Sequence, residues 1–173
     1  MAFTKLPITA YTPFTDGSSL TGVGITMADQ WRLTTSFTGD ALPIASNLER
    51  NDVQFSGIGS AMTESSGIFT FPSTGIYLVK FVIMINLYSG DSESNFYIMG
   101  TTNNSSYGTI AQNSTGESGG AYQNCYLETI VDVTDVANVK VRFDVNVANA
   151  SSNPHGNTGH NRTCMTFIRL GDT

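Results

Sequence analysis

The chain has 173 residues, a formal net charge of −6, 13% charged residues and only 8 Lys and Arg. That length fits one domain with a sizeable core, while the scattered cations form no basic patch or stripe and so exclude nucleic acid and an anionic membrane surface as expected partners. No run approaches the roughly 18 consecutive apolar residues of a transmembrane helix. Membrane insertion is therefore not expected, and because the first residues, MAFTKLP, lack the apolar core of a secretion signal, the protein is expected to be made in a cytoplasm.

Residues 1–30 are rich in Thr, Gly and Pro and show no sustained periodicity; they read as an N-terminal arm in which isolated apolar residues, Phe3, Leu6, Tyr11 and Phe14, are the candidates for attachment to a partner. A domain is expected over 31–173, opening with a strand at Trp31 and continuing as short strands with turns at Asn47, Asn51-Asp52 and Gly57.

The central stretch runs from Gly67 to Leu87. It reads as a hairpin: a short strand with Phe69 and Phe71, a turn at Pro72–Gly75, and a long strand Ile76–Leu87. Val and Ile are stiff at χ1, and Pro72 and Gly75 bound the run, so a strand is favoured over a helix. Tyr77, Val79, Phe81, Ile83, Ile85 and Leu87 share one face, and Ile76, Leu78, Lys80, Val82 and Met84 the other. Apart from Lys80 both faces are apolar, so the strand needs cover twice: a second sheet on one side and a neighbouring subunit on the other.

A polar loop 88–94 follows, then a strand 95–101, a long polar surface loop from 103 to 120, and a strand 121–133 with Cys125, Leu127, Val131 and Val133 on one face. In NVKVRFDVNV, Val139, Val141, Phe143, Val145 and Val147 alternate with Lys140, Arg142, Asp144 and Asn146, which predicts a strand packed on one side and wet on the other. A second long loop, 148–161, carries both histidines, and 163–170 closes the sheet. Eight to ten strands with mixed connections predict an all-β, two-sheet antiparallel jelly-roll sandwich. Cys125 and Cys164 each sit inside a strand, as buried free thiols or, if those strands are adjacent, as a disulfide.

The run Phe69-Thr70-Phe71-Pro72, the following Thr74-Gly75-Ile76-Tyr77, the late strand Val139–Val147 and the final Phe167-Ile168-Arg169-Leu170 together resemble the C1q/TNF-like jelly-roll family over about residues 31–173. The resemblance implies a compact homotrimer with central strands packed around a three-fold axis, and hence a subunit-facing cover for the second face of Ile76–Leu87. The chain shows neither a secretion signal nor a collagen-like Gly-X-Y stalk, and its low-charge surface of Asn, Ser, Thr and Gly is similar to that of bacteriophage virion proteins carrying this jelly roll.

No catalytic constellation stands out. There is no G-x-S-x-G elbow and no phosphate loop, so no enzyme is expected. Metal candidates are weak: His155 and His160 as a zinc pair repeated around a three-fold axis, or Asp91 and Glu93 as oxygen ligands for calcium, against the plainer expectation of a solvated turn and no cofactor. Tyr88, Tyr107 and Tyr122, with His155 and His160, are candidate receptor contacts on the outer loops. The expected protein is a trimeric virion projection, a capsid decoration or head fibre whose partners are itself, other virion proteins and a host-surface glycan or protein. A tail-fibre or spike receptor-binding tip and a soluble bacterial C1q-like binding module stay open beside it.

Overall fold

The structure, a computed structural model, describes residues 24–53, 57–116 and 120–173. Phe3, Leu6, Tyr11 and Phe14 lie outside the described residues. Eleven strands are found among those described: β1 (Ala28–Leu33), β2 (Leu48–Arg50), β3 (Thr63–Ser65), β4 (Ile68–Thr70), β5 (Gly75–Leu87), β6 (Ser94–Thr101), β7 (Gly108–Thr115), β8 (Ala121–Val133), β9 (Lys140–Asn146), β10 (Asn153–Pro154) and β11 (Cys164–Gly171). They form two antiparallel sheets facing each other as a sandwich. One runs β2-β1-β11-β5-β8, with the two-residue β10 pairing the far end of β5 beyond β11; the other runs β3-β4-β9-β6-β7. The first strand starts at Ala28, so the last residues of the expected arm belong to the sandwich.

β5 is the spine of the first sheet. β8 pairs with its whole length, from Gly75 opposite Val133 to Leu87 opposite Ala121, and β11 pairs with its other edge from Val82 to Ile76. Its inner side chains Tyr77, Val79, Phe81, Ile83, Ile85 and Leu87 are buried, and they meet Phe96, Ile98, Val141, Phe143 and Val145 of the opposite sheet in one core. Aromatic edges lock the two layers together. Phe69 of β4 packs 5.4 Å from Phe143 and 5.2 Å from Phe167, and Phe81 lies 5.1 Å from Phe143. Trp31, partly buried, meets Phe69 edge-on at 5.6 Å.

The expected hairpin over Gly67–Leu87 is not one. β4 pairs with β3 and β9 in one sheet and β5 pairs in the other, so Phe71–Thr74 is a corner that carries the chain across the core. Pro72 and Gly75 mark a break in the chain's direction, which a corner between sheets needs as much as a tight turn does. Gly75 has φ of 143°, and a Cβ there would meet Arg169 Nε and Gly171 O at 2.6 Å. The expected loop 103–120 contains β7, whose side chains are exposed or half-exposed; its hydrogen bonds to β6 make it a strand, and a solvated edge strand leaves no apolar alternation to read.

The wet face expected of β9 also needs correction, because Asp144 is buried. Arg142 Nη2 reaches it at 2.9 Å, and the 41–44 segment runs alongside β9 through Ala41 opposite Val145 and Ile44 N–H to Phe143 O. Burial pushes the Asp144 carboxyl up, against the pull of Arg142.

One buried acid ties the sheet edge together. Asp29 on β1 accepts from its neighbour's backbone, Gln30 N–H, at 3.0 Å, from Arg50 Nε at 2.8 Å, from Trp31 Nε1 at 3.2 Å and from Met62 N–H at 2.9 Å. Four donors lose their acceptor at once if it is removed. Asp29→Ala is expected to cost about 3 kcal/mol, seen as a lower urea midpoint with an unchanged m-value; a midpoint within error of the parent would show that these donors find water instead.

Candidate functional site

The outer face of the first sheet is built from the alternate residues of three adjacent strands. β5 contributes Ile76, Leu78, Lys80, Val82 and Met84, all half-buried. β8 contributes Tyr122, Tyr126 and Ile130, which are 60%, 48% and 64% exposed. The ladder aligns these residues in rows: Leu78 lies opposite both Ile130 and Ile168, and Val82 opposite both Tyr126 and Cys164. Among the described residues a contiguous apolar surface therefore stays accessible, although a sheet normally keeps an uncovered face polar. Of the side chains expected at a core or interface, the pleat sends Phe69, Phe71, Tyr77, Val79, Phe81 and Ile83 to the core and Ile76, Leu78, Val82 and Met84 to this surface.

A polar row crosses it. Gln30, Thr166, Lys80 and Glu128 lie side by side on β1, β11, β5 and β8. Lys80 Nζ is 3.6 Å from Glu128 and 5.5 Å from the centre of the Tyr126 ring, and the Tyr126 hydroxyl donates to Glu128. The Tyr126 contact, then the opposite charge, raises the Lys80 ammonium above its ordinary value and lowers the Glu128 carboxyl below its own. Both ions therefore stay charged at neutral pH. Gln30 Nε2 donates to Thr166 Oγ1 at 2.8 Å, so every member of the row has a partner within the chain.

The expected loop contacts separate into two places. Tyr107 packs on the opposite sheet, with the Arg142 guanidinium 4.9 Å from its ring centre, and burial raises its hydroxyl pKa. Tyr88, Tyr122, His155 and His160 gather at the end of the first sheet where β10 caps β5. Tyr88 N–H donates to Ser152 Oγ at 2.9 Å, His155 N–H donates to Met84 O at 2.8 Å, and the Tyr122 and His155 rings are 5.3 Å apart. Sequence reasoning missed Arg162, which reaches both imidazoles, and Tyr126 and Ile130, whose signal was an aromatic and an aliphatic among the polar residues of the β8 alternation.

Asp91 is not in a solvated turn. It is fully buried and accepts from Ser94 Oγ at 2.8 Å, from Ala148 N–H at 3.3 Å and from Ser152 Oγ, so it pins loop 88–94 to loop 148–152. Glu93 is exposed and accepts from Asn95. Among the described residues no group of three or more His, Cys, Asp or Glu side chains is placed to hold a metal ion, and no helix is long and apolar enough to cross a membrane. Cys125 and Cys164 are free and buried, and lie on opposite faces of the first sheet, Cys125 beside Ile83 and Cys164 beside Val82; burial raises both thiols. A groove of about 300 Å³ opens between β7 and β8, lined by Ile110, Ile130, Thr101, Ser106, Asp132 and Lys140. Lys140 Nζ there donates to Thr70 Oγ1 at 2.9 Å, and the lining holds no histidine or cysteine.

Two five-stranded antiparallel layers with β10 at the margin, closed by a last strand that returns to the middle, define a TNF-like jelly roll. Solved structures of that fold match it. The Eiger TNF structure from S. frugiperda superposes with a TM-score of 0.65 at 16% identity, covering 87% of this chain and 96% of that one. Murine APRIL at pH 5.0 superposes with a TM-score of 0.63 at 13% identity over 83% of this chain and 98% of that one. No protein-family model and no curated protein matches the sequence.

Burial, and then the Arg162 charge beside it, hold His155 below the ordinary histidine range. A depressed folded-state pKa means that the unfolded chain binds the proton more readily, so the stability His155 contributes is present above its unfolded value and is lost as pH falls through its folded one. An NMR titration is expected to place the His155 midpoint below that of a histidine in a denatured control, and Arg162→Gln to move it upward. A midpoint at or above the control would mean that the ring is solvated.

Proposed function

We propose that this chain is a non-enzymatic structural and binding protein: a homotrimeric jelly-roll projection of a bacteriophage virion, which decorates the capsid and presents its outer loops to the host surface. The observation that carries self-association is the uncovered apolar face of β5, β8 and β11, with Leu78, Val82, Ile130 and Ile168 at its centre. Burying such a face against copies of itself recovers about 25 cal/mol for each Å² of apolar area removed from water. The C1q/TNF-like resemblance supplies the symmetry, three chains around one axis with the central strands innermost.

Virion attachment is assigned to the arm ahead of β1 through Phe3, Leu6, Tyr11 and Phe14, and rests on the similarity of the polar, weakly charged surface to that of phage projections. The clustering of Tyr122, His155, His160 and Arg162 at one rim favours a second reading, a receptor-binding tip on a tail fibre or spike, since it gives the projection a surface to bind with.

Sedimentation equilibrium is expected to give the mass of three chains. Leu78→Asp and Ile130→Asp each place a carboxylate on a surface that is accessible in the isolated chain, so both variants are expected to fold and to sediment as single chains; the cost per buried, unpaired charge is about 3 kcal/mol or more. Trimers from both variants would remove this face from the interface, and a monomeric parent would end the trimer reading altogether. Particles lacking the protein are expected to bind the full chain and to ignore a trimer from which residues 1–23 have been removed. Equal binding of both would make the arm dispensable, and binding of neither would remove the virion assignment.

A further inference from the structure

Arg162 is matched by no carboxylate among the described residues. Every other arginine of the chain has one: Arg32 has Glu49 at 2.7 Å and Asp52 at 2.5 Å, Arg50 has Asp29 at 2.8 Å, Arg142 has Asp144 at 2.9 Å and Arg169 has Asp172 at 2.5 Å. In a chain of net charge −6, an arginine left without an acid is a departure from the rest of the molecule.

Its donors turn instead to two imidazoles. Nε lies 3.3 Å from His160 Nε2, and Nη1 lies 3.5 Å from His155 Nδ1. A guanidinium only donates, so both ring nitrogens accept and both rings are neutral in this arrangement. His155 then carries its proton on Nε2, and that atom is buried with no hydrogen-bond partner. These are long contacts to neutral acceptors, weaker than the charge-assisted pairs of the other four arginines. An incoming anion can replace them.

The surroundings select the kind of anion. The Tyr122 ring is 60% exposed and lies 5.3 Å from the His155 ring, an open aromatic face next to the cation. Asn86 lies directly opposite Tyr122 in the ladder and Asn124 is exposed one row away, so amides that donate and accept flank the ring. Arg32 lines the small hollow that His160 and Asn161 share, and its guanidinium is paired with Glu49 and Asp52.

We propose that Arg162, His155, His160 and Tyr122 form a binding site for an acidic sugar, with the carboxylate on the Arg162 guanidinium and the pyranose face on the Tyr122 ring. A guanidinium pairs two donors with a carboxylate, the ring supplies apolar area, and neighbouring amides fix the hydroxyls. The source of the sugar, a host-surface glycan, rests on the exposed-projection reading; the chemistry of the site does not.

The test uses the full-length protein in ligand-observed NMR titrations with glucuronate, glucose, acetate and inorganic sulfate. Glucuronate is expected to bind, with the other three at least about tenfold weaker. Arg162→Gln is expected to lose about tenfold in affinity and Tyr122→Ala about threefold, with sedimentation and unfolding midpoints showing both variants folded as the parent. Glucose binding as well as glucuronate, or full binding by Arg162→Gln, would remove the carboxylate assignment. Acetate or sulfate binding as well as glucuronate would remove the sugar, and no glucuronate binding would remove the site. A monomer that binds glucuronate in an Arg162-dependent way would end the trimer reading and leave the site standing, whereas a trimer that ignores glucuronate would do the reverse.

Discussion

Complete removal of the inner face of β5 from water is the constraint on which the rest of the fold depends. Tyr77, Val79, Phe81, Ile83, Ile85 and Leu87 are all essentially inaccessible, and at about 1.5–3 kcal/mol for each large side chain they contribute on the order of 10 kcal/mol before the cost of ordering is subtracted. Such a strand cannot sit at an edge. β8 along one side and β11 with β10 along the other satisfy its backbone, and the β4–β9–β6 layer closes over its side chains. The Phe71–Thr74 corner follows from the same need: the chain preceding β5 has to leave its sheet so that Phe69 can join the opposing layer against Phe143 and Phe167.

Buried acids do the joining at the margins, where apolar area runs out. Asp29 and Asp91 are as inaccessible as the aromatic core, yet each accepts at least three hydrogen bonds, two of them from segments far away in sequence. A carboxylate held by that many donors offsets its own desolvation, and it fixes loop positions that apolar contacts leave free to slide. Asp144 has fewer donors. One of its oxygens has no partner and its carboxyl pKa is pushed up, so it marks a place where burial is only partly compensated.

Periodicity made the main sheet strands legible, because β5 and β9 each bury one complete face and β8 and β11 bury much of one, and so write an alternation into the sequence. What pairs with what was not written there. The break at Pro72–Gly75 is compatible with a hairpin or with a corner, and only the demand for cover on both layers decides between them. β7 was invisible for the opposite reason: it is a strand by its hydrogen bonds to β6 alone, with polar side chains on both faces. At the rim, His155, His160 and Tyr122 stood out as residue types, while Arg162 did not, since its distinction is that no carboxylate among the described residues pairs with it, a property of three-dimensional surroundings rather than of spacing.

The same face of the first sheet serves two ends in the proposed trimer, and its polar row explains how they can be kept apart. Toward the Ile76 end lie Leu78, Ile130 and Ile168, and toward the middle Val82 and Tyr126; farther toward the Leu87 end lie Asn86, Tyr122 and the histidine loop, polar and charged. Gln30, Thr166, Lys80 and Glu128 run between them, each already partnered within its own chain. A wholly apolar face would pack against a copy in several offsets of similar energy. A row of satisfied polar groups adds little attraction when covered, but any offset that strips Lys80 from Glu128 or sets two lysines together carries the penalty of an unpaired buried charge. Such a penalty selects one register without strengthening it, so the apolar rows on either side supply the association, the polar row supplies the alignment, and the rim farther out stays open to ligand.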